Sequence, residues 1–179
     1  LEARPIKGTR PRLSDPIAAH GIAQLLQASE KDISENDMIV DLLRNDMSRV
    51  SELNSLLVER LCALEKYPFV WHLVSVIRSQ LQEHATAFDV VKATFPGGSI
   101  TGAPKIRAME IIAELEPTVR GPYCGSLGYI SFAGDMDLSI LIRTITACEG
   151  WWQVPVGGGI VADSDPALEE QETWHKAEG

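Results

Sequence analysis

The stretch 125-GSLGYISFAGDMDLSILIRTITACEGWWQVPVGGGIV-161 decides the fold. It alternates β-branched and aromatic residues with polar ones, and its two apolar runs, "GSLGYISF" and "DLSILIRTITAC", are separated by the turn-forming "AGDMD". The pair predicts two antiparallel strands. "EG" then leads into a third, "WWQVPVGGGIV". The expectation is an antiparallel meander with Gly157, Gly158 and Gly159 inside its last strand, where glycine marks a bulge or a close approach by ligand. Arg143 shares a strand face with Leu141 and Ile145 in this reading. A guanidinium on an apolar face is costly unless it meets an anion or solvent, so the readings are an internal salt bridge, an arginine on an edge strand, or a clamp on a bound carboxylate, which arginine grips bidentately.

Outward from this core the chain reads as mixed α and β. "LSDPIAAHGIAQLLQASEKD" predicts a helix with Ser14 or Asp15 as cap, Pro16 in its first turn, and Ile17, Ile22, Leu25 and Leu26 as an apolar stripe. "SENDMIVDLLRNDMSRV" predicts a second helix capped by Ser34, with Met38, Ile39, Leu42 and Leu43 inward. Residues 56–64 and "FVWHLVSVI" read as strands, and residues 86–94 as a short helix. "TFPGGSITGAPKIRAMEIIAELEP" is a glycine-rich loop feeding a helix, with Pro104 in the first turn and Pro117 as the stop. A last helix follows "DSDP". The class is α+β, an antiparallel sheet with helices packed on it.

Composition excludes several functions. The 179 residues carry a net charge of -9 with no basic run, which argues against nucleic acid. No apolar run reaches the roughly 20 residues of a membrane span. Cys62, Cys124 and Cys148 are odd in number and lack metal spacing, so a reducing cytoplasm is expected. The chain begins without Met and without a lead-in element, which reads as the interior of a longer protein.

On the last helix Glu169 and Glu172 are spaced i, i+3, and Lys176 lies i+4 from Glu172, so all three share a face. A solvated, salt-bridged surface is one reading. Against it, Glu169, Glu170 and Glu172 crowd like charge into the first turns, and a hard cation such as Mg²⁺ would relieve this. "GGSITGAPK" offers backbone N–H groups at a helix start to an anion but lacks the spacing of a nucleotide-binding loop. His72 shares a face with Val70 and Val74, as a core histidine or a functional one. Lys7 lies between Ile6 and Gly8, as a solvated terminal amine or one aimed at something.

Six blocks, "PIKGTRPR", "SEKDISENDMIVDLLRNDMSRV", "VWHLVS", "FPGGSITGAPKIRAMEIIAELEP", "CGSLGYISFAGDMDLSILIRT" and "VGGGIVADSDPALEEQETWHKA", together resemble the chorismate-utilising enzymes. They cover nearly the whole chain in the family's order. The resemblance implies an α/β sandwich of two antiparallel sheets flanked by helices, of which residues 1–179 are the C-terminal portion. It implies that an absent upstream part completes the sheets and supplies a glutamate that protonates the departing hydroxyl. It further implies that Glu35 and Glu172 bind Mg²⁺, with Glu169 acting beside them through water. Tyr129 and Arg143 would grip the enolpyruvyl carboxylate of chorismate, with Thr101, Gly102 and Gly157 to Gly159 completing the cradle and Lys176 near carboxylate and metal. His72 would lie beside the reacting ring. Asn36 stands where the family commonly has histidine.

Most relatives carry alanine at position 7, and the lysine of "PIKGT" resembles the branch that aminates chorismate at C4. There the lysine attacks C2 as the C4 hydroxyl leaves, and ammonia from a glutamine amidotransferase partner then adds at C4 and expels it. The attack needs a neutral amine. The competing expectations are anthranilate formation by amination at C2, and a fragment that binds chorismate without turnover.

Overall fold

The computed structural model describes residues 1–162 and 164–178. The chain forms two compact units, one over Leu1–Ser99 and one from Ile100 onward. The mixture of helices with antiparallel sheet is the expected class.

In the first unit the central strand is β4 (Val70–Arg78), antiparallel to β1 (Glu2–Ala3) and β2 (Ile6–Pro11) on one side and to β3 (Leu57–Lys66) on the other. β4 is buried through Leu73, Val74, Ser75, Val76 and Ile77. That is why its sequence is a continuous apolar run rather than an alternating one. Both neighbouring strands bulge. The β2 register breaks between Lys7 and Thr9, where Gly8 takes φ +76, and the β3 register breaks between Arg60 and Ala63, where Cys62 takes φ 47.

Helix α1 (Pro16–Gln27) starts where expected, with the Asp15 carboxylate accepting from the Ala18 N–H and Pro16 in the first turn. Its buried stripe differs from the expected one. Ala19, Ala23 and Leu26 face inward, while Ile17 is 84% and Leu25 71% exposed. The small alanines let the helix lie close to the sheet, and this turns the larger side chains outward. Helix α2 (Glu30–Ser48) begins a turn earlier than expected. Ser29, not Ser34, is the cap, its hydroxyl accepting from the Asp32 N–H, with Glu30 and Asp32 set against the helix dipole. Asn36, Ile39, Val40 and Met47 are buried, and Met38 is turned out. Val40, Met47 and Ile77 form the core cluster, flanked by Leu43, Leu56 and Val58. Helix α3 (Ala87–Thr94) carries a capping box in which Thr86 and Asp89 satisfy each other's backbone N–H groups.

The glycine-rich loop contains a single helical turn, α4 (Gly98–Thr101), before α5 (Lys105–Leu115). Pro104 is the extended cap residue of α5 rather than a member of its first turn. In the second unit the three-stranded meander resolves into two separate ladders, β5 (Ser126–Ile130) with β6 (Met136–Ile140), and β7 (Thr146–Cys148) with β8 (Trp151–Gln153). The expected long strand breaks because Arg143 takes φ 50, a left-handed conformation that interrupts pleated pairing. Arg143 is therefore exposed and off the strands, not on an apolar strand face. Gly157 to Gly159 likewise follow β8 instead of lying in it. Helix α6 (Pro166–Glu178) closes the unit. Among the described residues, no helix is long and apolar enough to cross a membrane.

Candidate functional site

The candidate residues fall into two groups, one in each unit. In the first, the bulge at Gly8 governs the geometry. Residues three apart on a regular strand face opposite ways. The bulge cancels one alternation, and both Lys7 and Arg10 reach helix α2. The Lys7 ammonium lies 3.5 Å from Glu35 Oε2, and Arg10 Nη2 lies 2.9 Å from Asp32 Oδ2. Asp32 and Glu35 are i, i+3 and share a helix face. Lys7 and Glu35 are each about a third exposed, so the pair is neither sealed off nor freely solvated. Lys7 is thus aimed, and its target is the glutamate singled out as a metal ligand.

His72 is held by a side chain. Its Nδ1 lies 2.9 Å from Thr9 Oγ1, and Tyr67 packs edge-on at 5.1 Å. The hydroxyl fixes the orientation of the imidazole. By register Lys7 stands opposite Leu73 and Thr9 opposite His72, so the two pairs are neighbours along the β2–β4 ladder.

In the second unit, α6 lies against the glycine run. Lys176 Nζ donates to Glu172 Oε1 at 2.6 Å and to the Gly157 carbonyl at 3.1 Å. Glu169 Oε1 accepts from the Ser164 hydroxyl at 2.6 Å, whereas its Oε2 is buried with no hydrogen-bond partner. A methyl group added at Gly158 would lie 2.9 Å from that oxygen. Position 158 therefore needs glycine to let the carboxylate approach.

Tyr123 was not anticipated from the sequence. A methyl added at Gly157 would lie 3.0 Å from its hydroxyl, which makes it the tyrosine beside the glycine run. Burial, then the neighbouring Cys124, pushes its phenol pKa up, so it stays a hydrogen-bond donor. The available signal was a tyrosine in the tight turn "GPYCG". Tyr129, by contrast, is 59% exposed on β5. Gly102 takes φ +109, a conformation that favours glycine, and the Thr101 hydroxyl donates to its carbonyl at 3.4 Å. Arg120 is bound to Glu116 through two nitrogens, at 2.6 and 2.8 Å.

The donors suit a hard divalent cation. They are carboxylates, one has an orphaned buried oxygen, and another carries an ammonium as a stand-in cation. Among the described residues, no three His, Cys, Asp or Glu side chains converge as a ready-made cage.

The chorismate binding enzyme family matches residues 1–179. This chain belongs to that family. As a chorismate binding enzyme it is 56% identical over 98% of its length to aminodeoxychorismate synthase component 1 of Klebsiella aerogenes, and equally so to that of Escherichia coli. It is 48% identical over 99% of its length to anthranilate synthase component 1 of Streptomyces coelicolor. It spans 39% of the Klebsiella protein and 35% of the Streptomyces one. The crystal structure of anthranilate synthase component I from Streptococcus pneumoniae superposes with a TM-score of 0.88 at 42% identity, covering 99% of this chain and 39% of that one. The menaquinone-specific isochorismate synthase of Escherichia coli gives 0.86 at 26% identity, covering 99% of this chain and 40% of that one.

Proposed function

We propose that residues 1–179 are the C-terminal portion of a chorismate-binding domain that aminates chorismate at C4 to 4-amino-4-deoxychorismate, the precursor of p-aminobenzoate. The observation that carries the reading is the Lys7–Glu35 pair, an amine on a bulged strand held against a carboxylate of the family's metal-ligand motif. Lys7 attacks C2 of chorismate, the ring double bonds shift, and the C4–O bond breaks. The hydroxyl leaves as water, carrying the proton shed by the amine. Ammonia then adds at C4, the C2–N bond breaks, and Lys7 is restored. The net reaction is chorismate plus ammonia to 4-amino-4-deoxychorismate plus water.

Glu35 in the first unit, and Glu169 and Glu172 in the second, are each candidate Mg²⁺ ligands; the ion when bound would supply positive charge to the ring carboxylate of chorismate. Arg143, Lys176, Tyr129 and the N–H groups of Thr101, Gly102 and Gly157 to Gly159 would receive the carboxylates, with Tyr123 beside them. His72, oriented by Thr9, would stand beside the ring. A glutamine amidotransferase in the cytoplasm would deliver the ammonia. The "component 1" in the names of the relatives supports a partner component.

Trapping tests the nucleophile. Chorismate supplied without ammonia should leave an adduct on the peptide containing "PIKGT" with the mass of chorismate minus one water. Lys7→Ala should abolish it, and Lys7→Arg should not rescue it, because a guanidinium stays protonated. Amination with no adduct, and with Lys7→Arg active, refutes covalent catalysis. The similarity to anthranilate synthases favours a second reading, amination at C2. Product mass separates the two, because anthranilate has lost the enolpyruvyl group.

A further inference from the structure

Asn36 is fully buried, an unusual state for an amide on a helix of mean polar character. Its Nδ2 donates to the Leu73 carbonyl at 3.3 Å, and its Oδ1 accepts from the Ser75 hydroxyl at 2.5 Å. The same Ser75 oxygen accepts from the Cys62 N–H at 2.9 Å, so the bridge continues to the bulge of β3. Both ends of this bridge adjoin the candidate site. Asn36 follows Glu35 on α2, and Leu73 is the register partner of Lys7 on β4.

We infer that Asn36 is a positioning residue. Its amide, anchored through Ser75, sets how far α2 stands along β4 and hence the separation of Glu35 and Lys7. The apolar contacts between α2 and the sheet, through Val40, Met47 and Ile77, are non-directional and resist separation more than sliding. The amide bonds are directional, and a slide would orphan two buried polar groups. A slide of one residue moves Glu35 by about 1.5 Å along the helix axis. That displacement would part a pair that meets at 3.5 Å. The functional weight of this device rests on the reading of Lys7 and Glu35 as site residues.

Lysine-ammonium NMR of the full chain tests it. The Lys7 NH3⁺ signal should be narrow in the parent, where Glu35 protects it, and broadened away in Glu35→Gln, the reference for a lost pair. Asn36→Ala and the milder Ser75→Ala should both broaden it. Ile77→Val, a core trim that touches neither end of the bridge, should lower the melting temperature yet keep the signal. At saturating chorismate, Ser75→Ala should slow adduct formation on Lys7 by about ten- to a hundredfold, as for small misplacements of reacting groups, with chorismate affinity retained. A Ser75→Ala chain that melts lower but keeps both the Lys7 signal and the adduct rate overturns the inference and leaves a purely structural bridge. Absence of the Lys7 signal in the parent removes the pair and the inference with it. If the parent forms no adduct, the nucleophile reading falls while the NMR arm still decides the positioning.

Discussion

Gly8→Ala is the substitution for which the structure gives the most definite magnitude. Gly8 takes φ +76, a region that L side chains rarely adopt. Forcing alanine there costs about 1–2 kcal/mol. The new methyl would also lie 2.8 Å from Leu26 Cδ1 and 3.1 Å from Cβ and Cγ of Asp32. Leu26 is fully buried, so its side chain cannot swing away freely. Overpacking of this kind costs about 1–3 kcal/mol. The sum is about 2–5 kcal/mol, a large part of the 5–15 kcal/mol that holds a typical domain. Urea unfolding by circular dichroism measures it, provided the m-value is unchanged. The parts can be separated in a double-mutant cycle. In a Leu26→Ala background the closest clash is removed while the strain and the Asp32 contacts remain, so Gly8→Ala should cost less there than in the parent. A loss under about 0.5 kcal/mol in the parent, or strict additivity in the cycle, would refute the argument.

Gly158→Ala should behave differently, because its methyl would meet the far end of the Glu169 side chain rather than the fully buried core. Stability should change by less than about 0.5 kcal/mol, while calorimetry with Mn²⁺ should show weakened binding; unchanged affinity would dissociate Glu169 from the metal. Arg120 holds the Glu116 carboxyl below its usual range, chiefly through their hydrogen bonds. A depressed carboxylate contributes stability above its unfolded pKa and loses it as pH falls through the folded value. Glu116→Gln should therefore flatten the acid side of the stability–pH curve slightly, and an unaltered slope would show that solvent screens the pair completely.

Local chemistry was the legible part of this sequence. Asp15 before Pro16 specified the start of α1, and the β-branched run of β4 announced a buried strand. The failures came where tertiary context overrode pattern. Ile17 and Leu25 fit a helical stripe, but the sheet accepted the alanines beside them instead. Arg143 sits in a run of strand formers, and no propensity rule foretells its left-handed backbone. At the site, Lys7 and Glu35 could be singled out separately, since each belongs to a motif. Their contact could not be read, because it depends on a bulge that cancels one side-chain alternation. Tyr123 and the Asn36–Ser75 bridge were invisible for a related reason. Each acquires meaning only from a partner distant in sequence.

The sheet of the first unit is assembled from pieces of very different reach. β3 and β4 meet through the short connection between Lys66 and Trp71, whereas β2 reaches β4 by pairing Ile6 with Val74. Chain-closure entropy grows as the logarithm of the enclosed length, which makes the second closure costlier by about 2 kcal/mol. The β3–β4 hairpin should therefore form early and the strand bearing Lys7 should dock late. During synthesis the amine cannot find Glu35 in its final setting until β4 has left the ribosome. Lys7 is thus among the last parts of its unit to be put in place.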